Sequence, residues 1–136
     1  MRRLLADTGP LVALANRRER RHADAAEFFR RFDGALVTTL AVLTEVCALL
    51  PRHRAALFLR SVERSNFTLV HVPEQELPSI AALMEKYSDR PMDFADASLI
   101  WLGDALDIAD IATLDGGFHI YRTVRGKPLR NRFPSS

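Results

Sequence analysis

Short apolar runs alternate with helical stretches along almost the whole chain, and this constrains the fold more than any other feature. It is the pattern of an α/β domain with a mainly parallel central sheet. The first strand reads Arg3-Leu4-Leu5-Ala6 and ends at Asp7-Thr8-Gly9-Pro10. A short helix over residues 11–16 leads into the basic run Arg17-Arg18-Glu19-Arg20-Arg21, and a second helix over 23–32 precedes the turn signal Asp33-Gly34. Residues 35–38 form the second strand, and Thr39 can cap the helix 40–50, which Pro51 ends. Then come a helix over 52–64, a strand over 67–72 and a helical stretch over 74–87, in which Pro78 delays the main helix. The next helix covers 92–106 and the fourth strand 108–114. Gly116-Gly117 breaks the chain, and a last short strand is expected around 119–124. The basic segment 125–136, with Pro128 and Pro134, is expected to be a flexible tail, poorly ordered at its end.

A chain of 136 residues fits one domain, read here as 1–136, and 48% hydrophobic residues suffice for a real core. No apolar run approaches the roughly 20 residues of a membrane helix, and Asp7 comes too early for a signal peptide. The expectation is a cytoplasmic protein with no membrane partner. Cys47 is the only cysteine, which excludes an internal disulfide and a cysteine metal cluster, and it reads as a small core residue. His22, His53, His71 and His119 show no paired spacing, which argues against zinc. The positive charge is nearly all arginine, whose planar fork suits phosphate. Setting four of the 17 acids aside against 19 basic residues leaves an excess of about six positive charges, compatible with a nucleic-acid partner. Arg17, Arg18, Arg20, Arg21 and the tail arginines could contact such a partner, or simply form a solvated face.

Four carboxylates stand where a carboxylate is costly. Glu45 lies in Leu40-Ala41-Val42-Leu43-Thr44-Glu45-Val46-Cys47-Ala48-Leu49-Leu50, a helix apolar on nearly every side and therefore expected to be buried, with no Arg or Lys one turn away. Asp96 repeats the pattern in Met92-Asp93-Phe94-Ala95-Asp96-Ala97-Ser98-Leu99, where Asp93 shares its face and is either an N-cap or a functional group. Asp7 and Asp115 end the first and fourth strands, at the carboxyl edge that lines the ligand crevice of open α/β sheets. Carboxylates gathered in one pocket repel each other unless a cation joins them, and all-oxygen ligands select hard cations such as Mg²⁺ or Mn²⁺.

The segments holding these acids resemble the PIN-domain ribonucleases, in particular the VapC-like toxins of toxin–antitoxin pairs. Leu4–Leu14, Thr38–Val46, Pro91–Leu99 and Ala112–Asp115, the last followed by Phe118 and Tyr121-Arg122, agree in order, spacing and element type over roughly residues 3 to 125. The resemblance implies a three-layer α/β/α fold and a Mg²⁺- or Mn²⁺-dependent endoribonuclease. Its metal ligands would be Asp7 and Asp96, with Glu45 and Asp115 completing the cluster directly or through water, and Thr8 and Asp93 as supporting residues. It also implies an RNA substrate (transfer, ribosomal or messenger), products with a 5′-phosphate and a 3′-hydroxyl, an antitoxin partner that can set a basic residue against the acids, and a homodimer. Related sequences often carry a second acid just before the phenylalanine, where Gly117 stands here. Three rivals are weighed. A haloacid-dehalogenase-type phosphatase needs a second Asp where Gly9 stands, and a response-regulator receiver needs a lysine at a late strand end that neither Lys86 nor Lys127 supplies. A PIN-fold module that binds RNA or a partner without catalysis has no reason to keep four costly acids.

Overall fold

Successive residues of a strand point to opposite faces of a sheet. In the computed structural model, which describes residues 2–135, this alternation divides the core in two. β1 (Arg3–Ala6) is the central strand of five, flanked by β2 (Ala35–Thr39) and β3 (Phe67–Val70) on one side and by β4 (Asp110–Ala112) and β5 (Arg130–Asn131) on the other. The order is β3-β2-β1-β4-β5 and every pairing is parallel. Leu4, Leu36 and Ala112 pack with Ala13 of α1 (Thr8–Ala15) and Ala25 of α2 (His22–Arg31). Leu5, Val37 and Ile111 belong to the larger core, with Val42 and Val46 of α3 (Leu40–Leu49) and Phe58 of α4 (Arg52–Arg64). Ile80 of α5 (Leu77–Lys86) and Leu99, Ile100 and Leu102 of α6 (Phe94–Leu106) complete it. The expected three-layer α/β/α architecture is present, with a sheet that is wholly parallel.

Local sequence sets the element starts. The Thr39 hydroxyl accepts from the Val42 amide and caps α3. A 3₁₀ turn at Glu74–Glu76 precedes α5, whose first turn holds Pro78, as the sequence reading anticipates. Asp93 and Asp96 open α6 with a reciprocal capping box, each carboxylate accepting from the other residue's amide at 2.9 and 3.1 Å.

Three expectations give way. Residues 119–124 form no strand. The Gly117 amide donates to the Asp115 side chain, starting a 3₁₀ turn over Gly116–His119 that sends Phe118 and Tyr121, three residues apart, into the core together. The segment from Arg125 is also not a loose tail. Arg130–Asn131 joins the sheet edge, Leu129 and Phe133 are buried, and the Asn131 side-chain amide both accepts from the Thr113 amide and donates to its carbonyl. Its basic residues answer acids on the adjoining edge: Arg130 and Arg132 pair with Asp110, Arg125 with Asp104, and Lys127 with Asp107. Finally, α3 is not buried all round. Val42, Leu43 and Val46 face the core, while Leu40, Thr44, Ala48 and Leu49 are exposed, because the helix forms one wall of a groove. Among the described residues no helix is long and apolar enough to cross a membrane.

The docked C-terminal segment carries a direct expectation. Phe133→Ala should lower stability by about 3 kcal/mol or more, the usual cost of emptying a buried phenylalanine site. A truly loose tail would leave the unfolding free energy from urea titration within about 0.5 kcal/mol of wild type.

Candidate active site

The chain runs outward from β1 through β2 to β3 and then returns to lay β4 on the other side of β1. This reversal opens a crevice at the carboxyl ends of β1 and β4, the position where open α/β sheets bind ligands. Asp7 follows β1 directly and Asp115 follows β4 after Thr113 and Leu114. α3 starts at the end of β2 and carries Glu45, while the first turn of α6 carries Asp96. Hydroxyls lock these ends together. Thr38 donates to the Ala6 carbonyl at 2.7 Å, and the Thr39 and Ser98 hydroxyls meet at 2.8 Å, tying the start of α3 to α6.

Asp7 occupies the N-cap position of α1 but makes no side-chain cap bond, so its carboxylate is turned to other use. It is 4% exposed and accepts from the Thr113 hydroxyl at 2.6 Å. Burial raises its pKa to about 6, against the lowering effect of that hydrogen bond, with Asp115 and Asp93 adding repulsion. Asp96 is 7% exposed, and burial pushes it up to about 8, despite the Asp93 amide, with Asp93 and Asp7 as repelling neighbours. Burial also raises half-buried Glu45, and its bond with Asp93 raises it further. Asp93 moves the other way. Its partial burial is outweighed by hydrogen bonds with Glu45 and from the first amides of α6, which hold it below the usual carboxylate range. Asp115 is half-buried, and one of its oxygens accepts from the Gly117 amide at 2.8 Å.

Asp7, Glu45, Asp93 and Asp96 therefore act on one another, and Asp115 acts on Asp7. None of the five forms an ion pair with Arg or Lys among the described residues. No three of them are gathered closely enough, as they stand, to hold one metal ion. The donor chemistry nonetheless fits a hard divalent cation: every group is oxygen, the two most buried are carboxylates, and no cationic side chain competes. Two buried side-chain oxygens among the described residues lack hydrogen-bond partners, and both border this cluster. They are the Thr8 hydroxyl, which acts on Glu45, and the Tyr121 hydroxyl, on which Asp115, Asp96 and Asp93 act.

From Glu45 and Asp93 a groove of about 660 Å³ extends along Leu40, Thr44, Ala48, His71, Leu77 and Phe94. Leu40, Leu77 and Phe94 are among the exposed large apolar residues. The arginines named from sequence divide. Arg21 pairs with Asp24, bonds the Pro134 carbonyl and lies over Phe133, so it holds the C-terminal segment. The tail arginines are spent on acids at the opposite end of β4. Arg17, Arg18 and Arg20 are exposed in the turn after α1, at the end of that helix remote from Asp7. Sequence reasoning passed over Arg90, whose charge reaches Tyr121 beside the acids, and gave no role to Thr113, Ser98 or Tyr121. Thr113 was within reach: it directly follows β4, which pairs with β1, and stands two residues before Asp115.

The family model of the PIN domain matches residues 4–123. The solved structure of Mycobacterium tuberculosis VapC20, described as a Sarcin-Ricin loop cleaving toxin, superposes with a TM-score of 0.81 at 22% sequence identity, covering 92% of this chain and 99% of that one. At that identity the likeness carries the fold. No curated protein sequence matches the chain significantly.

The raised carboxyls make stability depend on pH and on cations. Their folded pKa values lie above the unfolded ones, so the folded state binds more protons from the ordinary carboxylate range up to about pH 8. Stability then falls as pH rises through that window. A tenfold difference in proton affinity is about 1.4 kcal/mol, so Asp7 alone accounts for roughly 3 kcal/mol. Metal-free protein should melt several degrees lower at pH 8.5 than at pH 5.5. Asp96→Asn should raise the melting temperature at pH 8.5, and Mg²⁺ should raise that of wild type more than that of the variant. A wild type that melts higher at pH 8.5, with no gain in the variant, would contradict the electrostatic account.

Proposed function

The chain belongs to the PIN-domain family, and on that footing we propose that it is a Mg²⁺- or Mn²⁺-dependent endoribonuclease, the toxin of a toxin–antitoxin pair. The observation that carries the reading is the group of uncompensated carboxylates at the reversal point of the sheet, two of them buried with raised pKa values. Such a group is costly to keep unless a cation relieves it.

Asp7 and Asp96 are the residues that would hold the cation, with Glu45 and Asp115 beside them and with Thr8 and Asp93 in support. A cation held by these residues would supply an acidified water and polarisation of the scissile phosphate. The chain's own groups do the rest. Thr113 fixes the Asp7 carboxylate through its 2.6 Å bond. The capping box fixes Asp96 on the first turn of α6. Glu45 and Asp115 would orient the attacking water, and Glu45 is held by its hydrogen bond with Asp93. Hydrolysis of this kind uses no 2′-hydroxyl and leaves a 5′-phosphate and a 3′-hydroxyl. Arg90, whose charge reaches Tyr121, is one candidate to meet a phosphate next to the cluster.

An antitoxin fits the same surface. A segment laying apolar side chains along Leu40, Leu77 and Phe94 would bring a basic side chain to Glu45 and Asp93 and supply the charge they lack. The reading includes a homodimer in the cytoplasm, and Leu49 and Leu57 are exposed apolar residues available to it. The second reading, a PIN-fold module that binds RNA or a partner without cutting, has one observation on its side: no three acids converge as they stand.

Cleavage of total RNA with Mg²⁺ or Mn²⁺ separates the two. The nuclease reading expects discrete, metal-dependent cuts that fall at least about 100-fold in Asp7→Asn and in Asp96→Asn, a loss in keeping with removal of one strong electrostatic contact in a transition state. Folded wild type that binds metal, is free of any partner and cuts nothing would favour the binding module. Cuts surviving both substitutions would place the chemistry elsewhere.

A further inference from the structure

Tyr121 is completely buried, yet its hydroxyl has no hydrogen-bond partner. A buried hydroxyl left unpaired costs about 1–3 kcal/mol, and native structures rarely keep one without a reason. The ring is not free to turn away. Tyr87 and Phe118 meet it edge-on at centroid distances of 5.0 and 5.2 Å, and the Tyr121 amide bonds the Gly117 carbonyl at 3.1 Å. This packing aims the hydroxyl at the turn that carries Asp115.

Gly117 explains the available space. A Cβ at this position would stand 2.9 Å from the Tyr121 hydroxyl oxygen and 3.1 Å from an Asp115 carboxylate oxygen. The phenol and Asp115 therefore flank the same point, which a side chain at 117 would otherwise fill. Gly117 does not need its glycine backbone freedom, since its φ is not positive. What excludes a side chain there is the phenol.

We propose that Tyr121 is a positioning residue of the carboxylate site, its hydroxyl donating a hydrogen bond to the Asp115 carboxylate once a bound cation draws the acids together, and so supplying the polar contact that position 117 lacks. The inference rests on the cation-dependent reading above. It assigns to Tyr121 what the sequence reading left open at the fourth acidic corner, and it accounts for an orphaned hydroxyl that packing alone does not.

Mn²⁺ binding by the purified, metal-free chain, followed by titration calorimetry alongside thermal melting, tests it. Tyr121→Phe removes only the hydroxyl. The expected result is Mn²⁺ affinity weaker by about 10-fold, the scale typical of contacts that orient metal ligands, with metal-free melting unchanged or higher because an unpaired polar atom is gone. Unchanged affinity in Tyr121→Phe, with wild type binding Mn²⁺ and Asp96→Asn not, overturns the role of Tyr121 and leaves the cation site standing. Wild type that binds no Mn²⁺ overturns both.

Discussion

Mutual repulsion among carboxylates governs this molecule. Asp7, Glu45, Asp93 and Asp96 raise one another's electrostatic cost, and no arginine or lysine pairs with them among the described residues. A fold that brings like charges together needs a rigid frame beyond the few hydrogen bonds the acids share. The frame is made of short hydrogen bonds from hydroxyls: Thr113 to Asp7, Thr38 to the Ala6 carbonyl, and Thr39 with Ser98 between two helix starts. Each joins two chain segments far apart in sequence, so the frame exists only once the sheet and helices have docked.

The same frame separates the two ends of the sheet by charge. At the carboxyl end of β1 and β4 the acids go unanswered. At the opposite end of β4, Asp104, Asp107 and Asp110 are answered by Arg125, Lys127, Arg130 and Arg132. Exposed pairs of this kind contribute little individually, and the burial of Leu129 and Phe133 does more to hold the segment down. Much of the basic character visible in the composition is therefore spent on holding the C-terminal segment. Arg90 acts on Tyr121 beside the acids, and Arg21 and His119 line a hollow next to Asp115.

The exposed wall of α3 has a matching logic. A helix with apolar residues on nearly every side ordinarily lies inside a protein, yet Leu40, Ala48 and Leu49 are exposed here. Glu45 sits on the boundary between the buried face and the groove, and the helix thereby couples an apolar docking surface to the acids. Any ligand that covers the groove also changes the electrostatics of Glu45 and Asp93.

Local chemistry determined much of this protein from sequence alone. The alternation of apolar runs with helical stretches specified the parallel α/β sheet, because period and length are local properties. Thr39, Pro51 and Pro78 set helix boundaries through caps and missing donors. Asp7, Glu45, Asp96 and Asp115 stood out because a carboxylate among apolar neighbours is costly wherever the chain places it. Other features belong to tertiary structure alone. Whether α3 is buried all round or walls a groove depends on what packs against each side. Basic character in the last residues reads as a loose tail until the acids of the adjoining edge and the pocket for Phe133 are in place. Tyr121 has no distinguishing neighbours in sequence; only the docked ring, the open position at Gly117 and the acids brought from α6 and from the turn after β4 give its hydroxyl a place. Sequence fixes the energies of single groups and short segments, whereas which groups must answer one another is decided by the contacts that folding creates.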